Sequence, residues 1–191
     1  MNLESIKETI HSSISVKQLL YNDDLLLRAL LNAAKLCVLS LNSGGKIIFC
    51  GNGGSFADAQ HLSAEFTSRF LFDRPALASV ALGTNNSGIT AMGNDYGYEN
   101  IFSRELEALG KPEDIFFGIT TSGNSLNVIN AVSAAKKLGI KTFVLTGQSG
   151  GDVNKLTETI NMPSEDTARI QECHILVGHI ICGLVEREIF Q

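Results

Sequence analysis

A short apolar run that opens into a turn of small residues occurs twice in this chain. The first copy is Lys46-Ile-Ile-Phe-Cys-Gly-Asn-Gly-Gly-Ser55 and the second Asp114-Ile-Phe-Phe-Gly-Ile-Thr-Thr-Ser-Gly-Asn-Ser125. Each ends on a Ser that opens a helical pattern, so each reads as strand, tight turn and helix start. A chain built from such units is steered toward an α/β architecture with parallel strands. The same units predict a binding chemistry. Backbone N–H groups point outward at such a turn, hydroxyls add donors, and the helix N-terminus carries partial positive charge. Two of these turns on neighbouring parallel strands would make a pocket for a phosphorylated small molecule. No Lys follows the glycines, which excludes a P-loop, and neither copy is the G-x-G-x-x-G turn of dinucleotide binders.

Around these units the alternation continues. Strands are expected at 46–50, 77–82, 114–119, 141–146 and 158–162, with helices near 56–69, 99–109, 125–138 and 151–156. The strands are apolar enough to be covered on both faces, which predicts a five-stranded parallel sheet inside a three-layer αβα sandwich. Ligands of such sheets sit beyond the carboxyl ends of the strands, where both turns fall. Before the first strand, Leu3, Ile6, Ile10 and Ile14 form the stripe of one amphipathic helix. A second helix, capped by Asn22 or Asp23, runs to a stop at Gly44-Gly45. These two predict an N-terminal helical hairpin over 1–44, ahead of an α/β core over 45–165. A final helix, about Ala168 to Phe190 within 166–191, is apolar nearly all the way round. That pattern needs cover on every side, so an oligomer with this helix at its interface is expected. No linker interrupts the chain, and residues 1–191 read as one domain.

The chain has 191 residues, enough for a single large core. A net charge of −5 and the absence of a Lys/Arg-rich run argue against nucleic acid and anionic membrane as partners. Ile175–Val185 is the one long apolar tract, about half of the ~20 residues of a bilayer span. The N-terminus is charged and amphipathic without an apolar signal core, so secretion is not expected. Cys37, Cys50, Cys173 and Cys182 lack C-x-x-C spacing and lie in apolar surroundings. They read as buried thiols of a cytoplasmic protein.

Candidate chemistry is concentrated in a few polar residues. His61 and Glu65 stand four apart on the helix that starts at Ser55, which puts both on one face. Such a pair can bind a metal or work as acid and base. On the last helix, Gln171 and His179 are separated by about 80° at 3.6 residues per turn and share one broad side. His174 lies on the other flank, where a core histidine satisfied by a carbonyl is expected. Gly93-Asn-Asp-Tyr-Gly97 reads as a turn-rich loop placed to meet a ligand.

Taken in order and spacing, these pieces resemble the bacterial phosphoheptose isomerases of the sugar isomerase (SIS) superfamily. The matching segments are Cys50–Ser55, His61-x-x-x-Glu65, Gly93–Gly97, Thr121–Ser125, Leu145-Thr-Gly147 and Arg169-Ile-Gln171 with His174 and His179. The resemblance implies a flavodoxin- or Rossmann-like sandwich assembled as a homotetramer with active sites at subunit interfaces. It implies zinc held by His61, Glu65, Gln171 and His179. It implies substrate contacts from Asn52, Gly53, Gly54, Asn94, Asp95, Thr120, Thr121, Ser122 and Ser125, to which Ser55, Glu65 and Gln171 are added here. The implied reaction converts sedoheptulose 7-phosphate to D-glycero-D-manno-heptose 7-phosphate, the first step toward activated heptose for lipopolysaccharide or capsule. The chain departs from the family pattern at Ala168, where relatives often carry Asp, and at Thr120, where they often carry Ser.

A ketose–aldose exchange moves a proton between C1 and C2. Glu65 suits the general base of that step, and His179, with a reference pKa of ~6.5, suits proton transfer at the oxygen. Zinc could polarise the carbonyl. Two alternatives stand beside this expectation. One is a non-catalytic SIS domain that binds a phosphosugar or a replication initiator; the other is an isomerase of a different phosphosugar.

Overall fold

The computed structural model describes residues 2–191. Its elements run α1 (Leu3–Tyr21), α2 (Asp24–Asn42), β1 (Ile47–Gly51), α3 (Gly54–Thr67), β2 (Ser79–Ala81), α4 (Asn86–Tyr96) and α5 (Ile101–Leu109). They continue with β3 (Ile115–Ile119), α6 (Leu126–Lys137), β4 (Lys141–Thr146), β5 (Glu158–Asn161) and α7 (Thr167–Phe190). All five strands join one parallel sheet in the order β2-β1-β3-β4-β5. The expected αβα sandwich is therefore the one observed.

Both faces of the sheet are dry, as the unbroken apolar runs require. Every residue of β1 and β3 is buried. On one face Phe49, Phe117 and Phe143 stand in register on β1, β3 and β4. Their rings stack with centroids 5.4 and 5.5 Å apart, and Phe66 of α3 extends the row. This face packs on α2, α3 and α7; Ile48, Phe116 and Val144 on the other pack on α5 and α6. The two strand–turn–helix copies are locked at their first residues. Asp114, 1% exposed, accepts from the Lys46 amide at 2.9 Å and pairs with its ammonium at 2.7 Å. That pins β1 beside β3, so Gly51 and Ile119 end the strands level with each other.

The α2 cap falls on one of the two residues the sequence offers, and α7 starts on a cap not expected from the sequence. Asp23 accepts from the Leu26 amide to start α2, and Asp166 accepts from the Ala168 amide to start α7. Two expectations need correction. The 93–97 segment is not a loop: Asn94 and Asp95 close the last turn of α4, a helix the sequence pattern hides. Gly88 and Gly93 lower its propensity, but the Asn85 cap and the packing of Ile89 and Met92 hold it. The helix expected at 151–156 is a single 3-10 turn, Asp152–Lys155. Within one chain α7 is already largely covered, and Leu176, Ile180 and Leu184 stay partly exposed beside Phe70 and Leu71. No residue from Arg169 to Glu186 is more than partly exposed, because α1, α2, α3 and β4 surround the helix. The most exposed apolar stripe lies on α1, where Leu3 is 76% and Ile6 57% exposed. Among the described residues no helix is long and apolar enough to cross a membrane.

Candidate active site

The two turns lie side by side at the carboxyl ends of β1 and β3, and they are tied together. Asn52 of the first turn and Asn127 in the first turn of α6 exchange amide hydrogen bonds, both 2.8 Å. The Tyr98 hydroxyl donates to Asn52 Oδ1 at 3.0 Å. Asn127 and Tyr98 carry no motif signal in the sequence; only the adjacency of β1 and β3 gives them a role. Gly53 and Ser125 stand at the N-caps of α3 and α6, and neither helix start is occupied by a side-chain cap. Their first N–H groups are thus available to an anion.

In the second turn Thr120 and Ser125 hydroxyls are 3.1 Å apart, and Ser122 Oγ accepts from the Asn124 amide. Thr121, Ser122 and Asn124 line a cleft of about 300 Å³ closed by Gly147–Ser149 and the start of α7. Gly123 makes this turn possible: its φ is +69°, and a Cβ there would stand 2.1 Å from the Gly150 carbonyl oxygen. Ser55 is only 4% exposed, so its hydroxyl sits at the foot of the first turn rather than at its rim. Gln171 reaches this turn from α7, its amide nitrogen 2.8 Å from where a Cβ on Gly54 would be. Asn94 and Asp95 lie exposed on α4 and hydrogen-bond to each other.

The reactive groups gather farther along α3. His61 Nε2 is 3.0 Å from Glu65 Oε1 and 2.9 Å from His179 Nε2. Ligand atoms of the three residues lie within 4.8 Å of one another. Helical spacing supplies the first contact; the second requires α7 to cross α3, which only tertiary packing provides. Burial, reinforced by the neighbouring His61, lowers the His179 pKa, against a smaller upward pull from Glu65. A neutral imidazole can both take and give a proton. The ring of Phe70 stacks on His179 with centroids 5.2 Å apart, a contact the sequence does not signal. His174 takes no part. It is wholly buried with Nε2 3.3 Å from the Thr146 carbonyl, and burial lowers its pKa to about 4.

Two imidazoles and a carboxylate suit a divalent transition metal, zinc included. Three of the four expected ligands therefore converge, within one chain. Gln171, the fourth, is placed over the first turn.

The SIS domain family matches residues 15–147 of the chain. The phosphoheptose isomerase of Sulfurimonas denitrificans is 52% identical over 186 residues, spanning 97% of this chain and 95% of that protein. Phosphoheptose isomerase 2 of Campylobacter jejuni is 49% identical over 191 residues, spanning 99% and 95%. The solved phosphoheptose isomerase of Francisella tularensis superimposes with a TM-score of 0.93 at 38% identity, over 98% of this chain and all of that one. With sheet order, paired turns and the His61–Glu65–His179 cluster in place, this chain belongs to the phosphoheptose isomerase family of SIS-domain proteins.

Proposed function

We propose that the protein is an isomerase that converts sedoheptulose 7-phosphate to D-glycero-D-manno-heptose 7-phosphate, feeding heptose biosynthesis. The observation that carries this is the convergence of His61, Glu65 and His179, two to three turns along α3 from the first of two uncapped helix starts. The phosphate would sit against the Thr120–Ser125 hydroxyls and amides, and Asn52–Ser55 with Gln171 would hold the sugar. The Asn94–Asp95 pair would approach from α4, on the side where Tyr98 already reaches Asn52. Glu65 takes the proton from one carbon of the C1–C2 pair and returns it to the other through an enediol. His179, held neutral, carries the accompanying proton between the two oxygens.

The donor set fits zinc, which His61, Glu65 and His179 would hold with Gln171 as a fourth donor. When bound, such an ion polarises the carbonyl that becomes the enediol. A purely binding SIS domain needs the turns but gains nothing from an acid/base cluster, so catalysis is the reading preferred here. The exposed stripe of Leu3, Ile6, Ile10 and Ile14 on α1 suits contact between copies, in keeping with a cytoplasmic homotetramer of one SIS domain per chain.

The test is turnover of sedoheptulose 7-phosphate by wild type and by Glu65→Gln. Loss of a positioned acid/base group costs about 10²–10⁴-fold in kcat. Near-normal kcat in the variant would refute the assignment of Glu65. A wild type that binds the sugar phosphate without converting it would refute catalysis.

A further inference from the structure

Behind the cluster lies a buried ion pair that the chemistry above does not use. Arg74 and Glu186 have side chains 2% and 1% exposed, with Arg74 Nε donating to Glu186 Oε1 at 3.0 Å. Removing both charges from water makes such a pair a poor source of stability. Its hydrogen bonds show what it organises. Arg74 Nη2 donates to the Glu65 carbonyl at 2.7 Å, and Nη1 to the carbonyls of Phe66, Ser68 and Pro75 at 2.7, 3.1 and 3.0 Å. Glu65 and Phe66 lie in the last turn of α3, whose carbonyls have no partner within the helix. The guanidinium therefore caps α3 at the residue that carries the base.

Glu186 holds the other side. Its two oxygens accept from the Phe70 and Leu71 amides at 3.0 and 2.8 Å. That fixes the backbone from which the Phe70 ring stacks on His179, with an interplanar angle of 21°. His179 and Glu186 are both on α7, two turns apart. One ion pair thus joins the end of α3, the 68–75 segment and α7, and each arm ends on a member of the cluster. The planar fork of five donors is what spans four carbonyls and a carboxylate; Lys, with a single point of charge, does not.

We propose that Arg74 and Glu186 are positioning residues for the isomerase reaction, which hold Glu65 and the His179 ring at their working separation through the Glu65 carbonyl and the Phe70 stack. The inference rests on the roles of Glu65 and His179 proposed above. Groups that orient the ligands and bases of a site typically matter by about 10–100-fold in activity or metal affinity.

The experiment compares Arg74→Lys and Phe70→Leu with wild type and with Phe143→Leu, a core change remote from the cluster. Each is assayed for kcat and KM with sedoheptulose 7-phosphate, for Zn²⁺ affinity of the metal-free protein, and for Tm. Arg74→Lys and Phe70→Leu are expected to lose about 10–100-fold in kcat and in Zn²⁺ affinity, with KM changed less than threefold. Phe143→Leu, at equal or greater loss of Tm, should keep both. Phe70→Leu leaves the amide bonded to Glu186, so it decides the matter alone where Arg74→Lys fails to fold. Folded variants that keep wild-type kcat and Zn²⁺ affinity overturn the proposal, as does an equal loss in Phe143→Leu. An inactive wild type, or a fully active Glu65→Gln, instead refutes the roles on which the inference rests. A wild type that turns over without binding Zn²⁺ refutes the metal alone, and the kcat comparison then decides.

Discussion

Gly123→Ala is the substitution whose cost can be worked most directly from the geometry. Gly123 holds φ at +69°, and the left-handed region costs a residue with a Cβ about 1–2 kcal/mol. The added methyl would also stand 2.1 Å from the Gly150 oxygen, 2.6 Å from its carbonyl carbon and 2.9 Å from Gly151 Cα. All three are backbone atoms, so no rotamer change relieves the overlap. Overpacking of this kind adds roughly 1–3 kcal/mol, for a total of about 2–5. In a chain of this size each kcal/mol moves Tm by roughly 2–4 °C, which predicts a loss of roughly 4–20 °C. Gly44→Ala is the control. Its φ is +80°, nothing lies within 4 Å of the added Cβ, and only the conformational part, about 1–2 kcal/mol, should appear. The functional consequence follows from what must move. Gly123 receives the Val153 amide, and Thr121 receives that of Gly147, so relieving the overlap displaces the hydroxyl-bearing turn from its partner loop. KM for the sugar phosphate should rise at least tenfold with a smaller change in kcat, since phosphate contacts are largely shared by ground and transition states. Thermal melts and steady-state kinetics measure both. Equal Tm losses in the two variants, or an unchanged KM in Gly123→Ala, would show that the close approach to Gly150 is not a constraint.

Three further outcomes are expected. Ser122→Ala should raise KM more than it lowers kcat, because Ser122 lines the cleft of the second turn; an unchanged KM would place the phosphate elsewhere. Mixing Glu65→Gln chains with His179→Ala chains should restore no activity, since His61, Glu65 and His179 meet within one chain; recovery in hybrid oligomers would mean that the working cluster is shared. Burial would raise the Glu186 carboxyl, but the Leu71 and Phe70 amides and Arg74 outweigh it and hold its pKa below the usual range. The folded chain then binds fewer protons than the unfolded one. This contribution is complete above the ordinary Glu value of ~4.3 and is lost as pH falls through the lowered folded value. Acid-unfolding curves should accordingly be steeper for wild type than for Glu186→Gln.

Local sequence by itself determined the layout of the chain. Apolar runs with both faces dry, small-residue turns, and the cap at Asp23 depend on neighbours a few residues away, so the strands, most helices and both small-residue turns were legible. The His61–Glu65 contact was legible for the same reason, being one helical turn long. Where local and tertiary preferences conflict, the sequence misleads. The glycines of α4 disguise a helix that packing on Ile89 and Met92 sustains. What only the tertiary structure decided is the meeting of distant residues. The 2.9 Å approach of His179 to His61, the Asn52–Asn127 bridge, and the hold of Arg74 and Glu186 on the cluster each join segments far apart in the chain. Such contacts are set by how α7 and α6 cross the sheet. No periodicity encodes that crossing, because it is the joint result of every apolar surface that the helices bury.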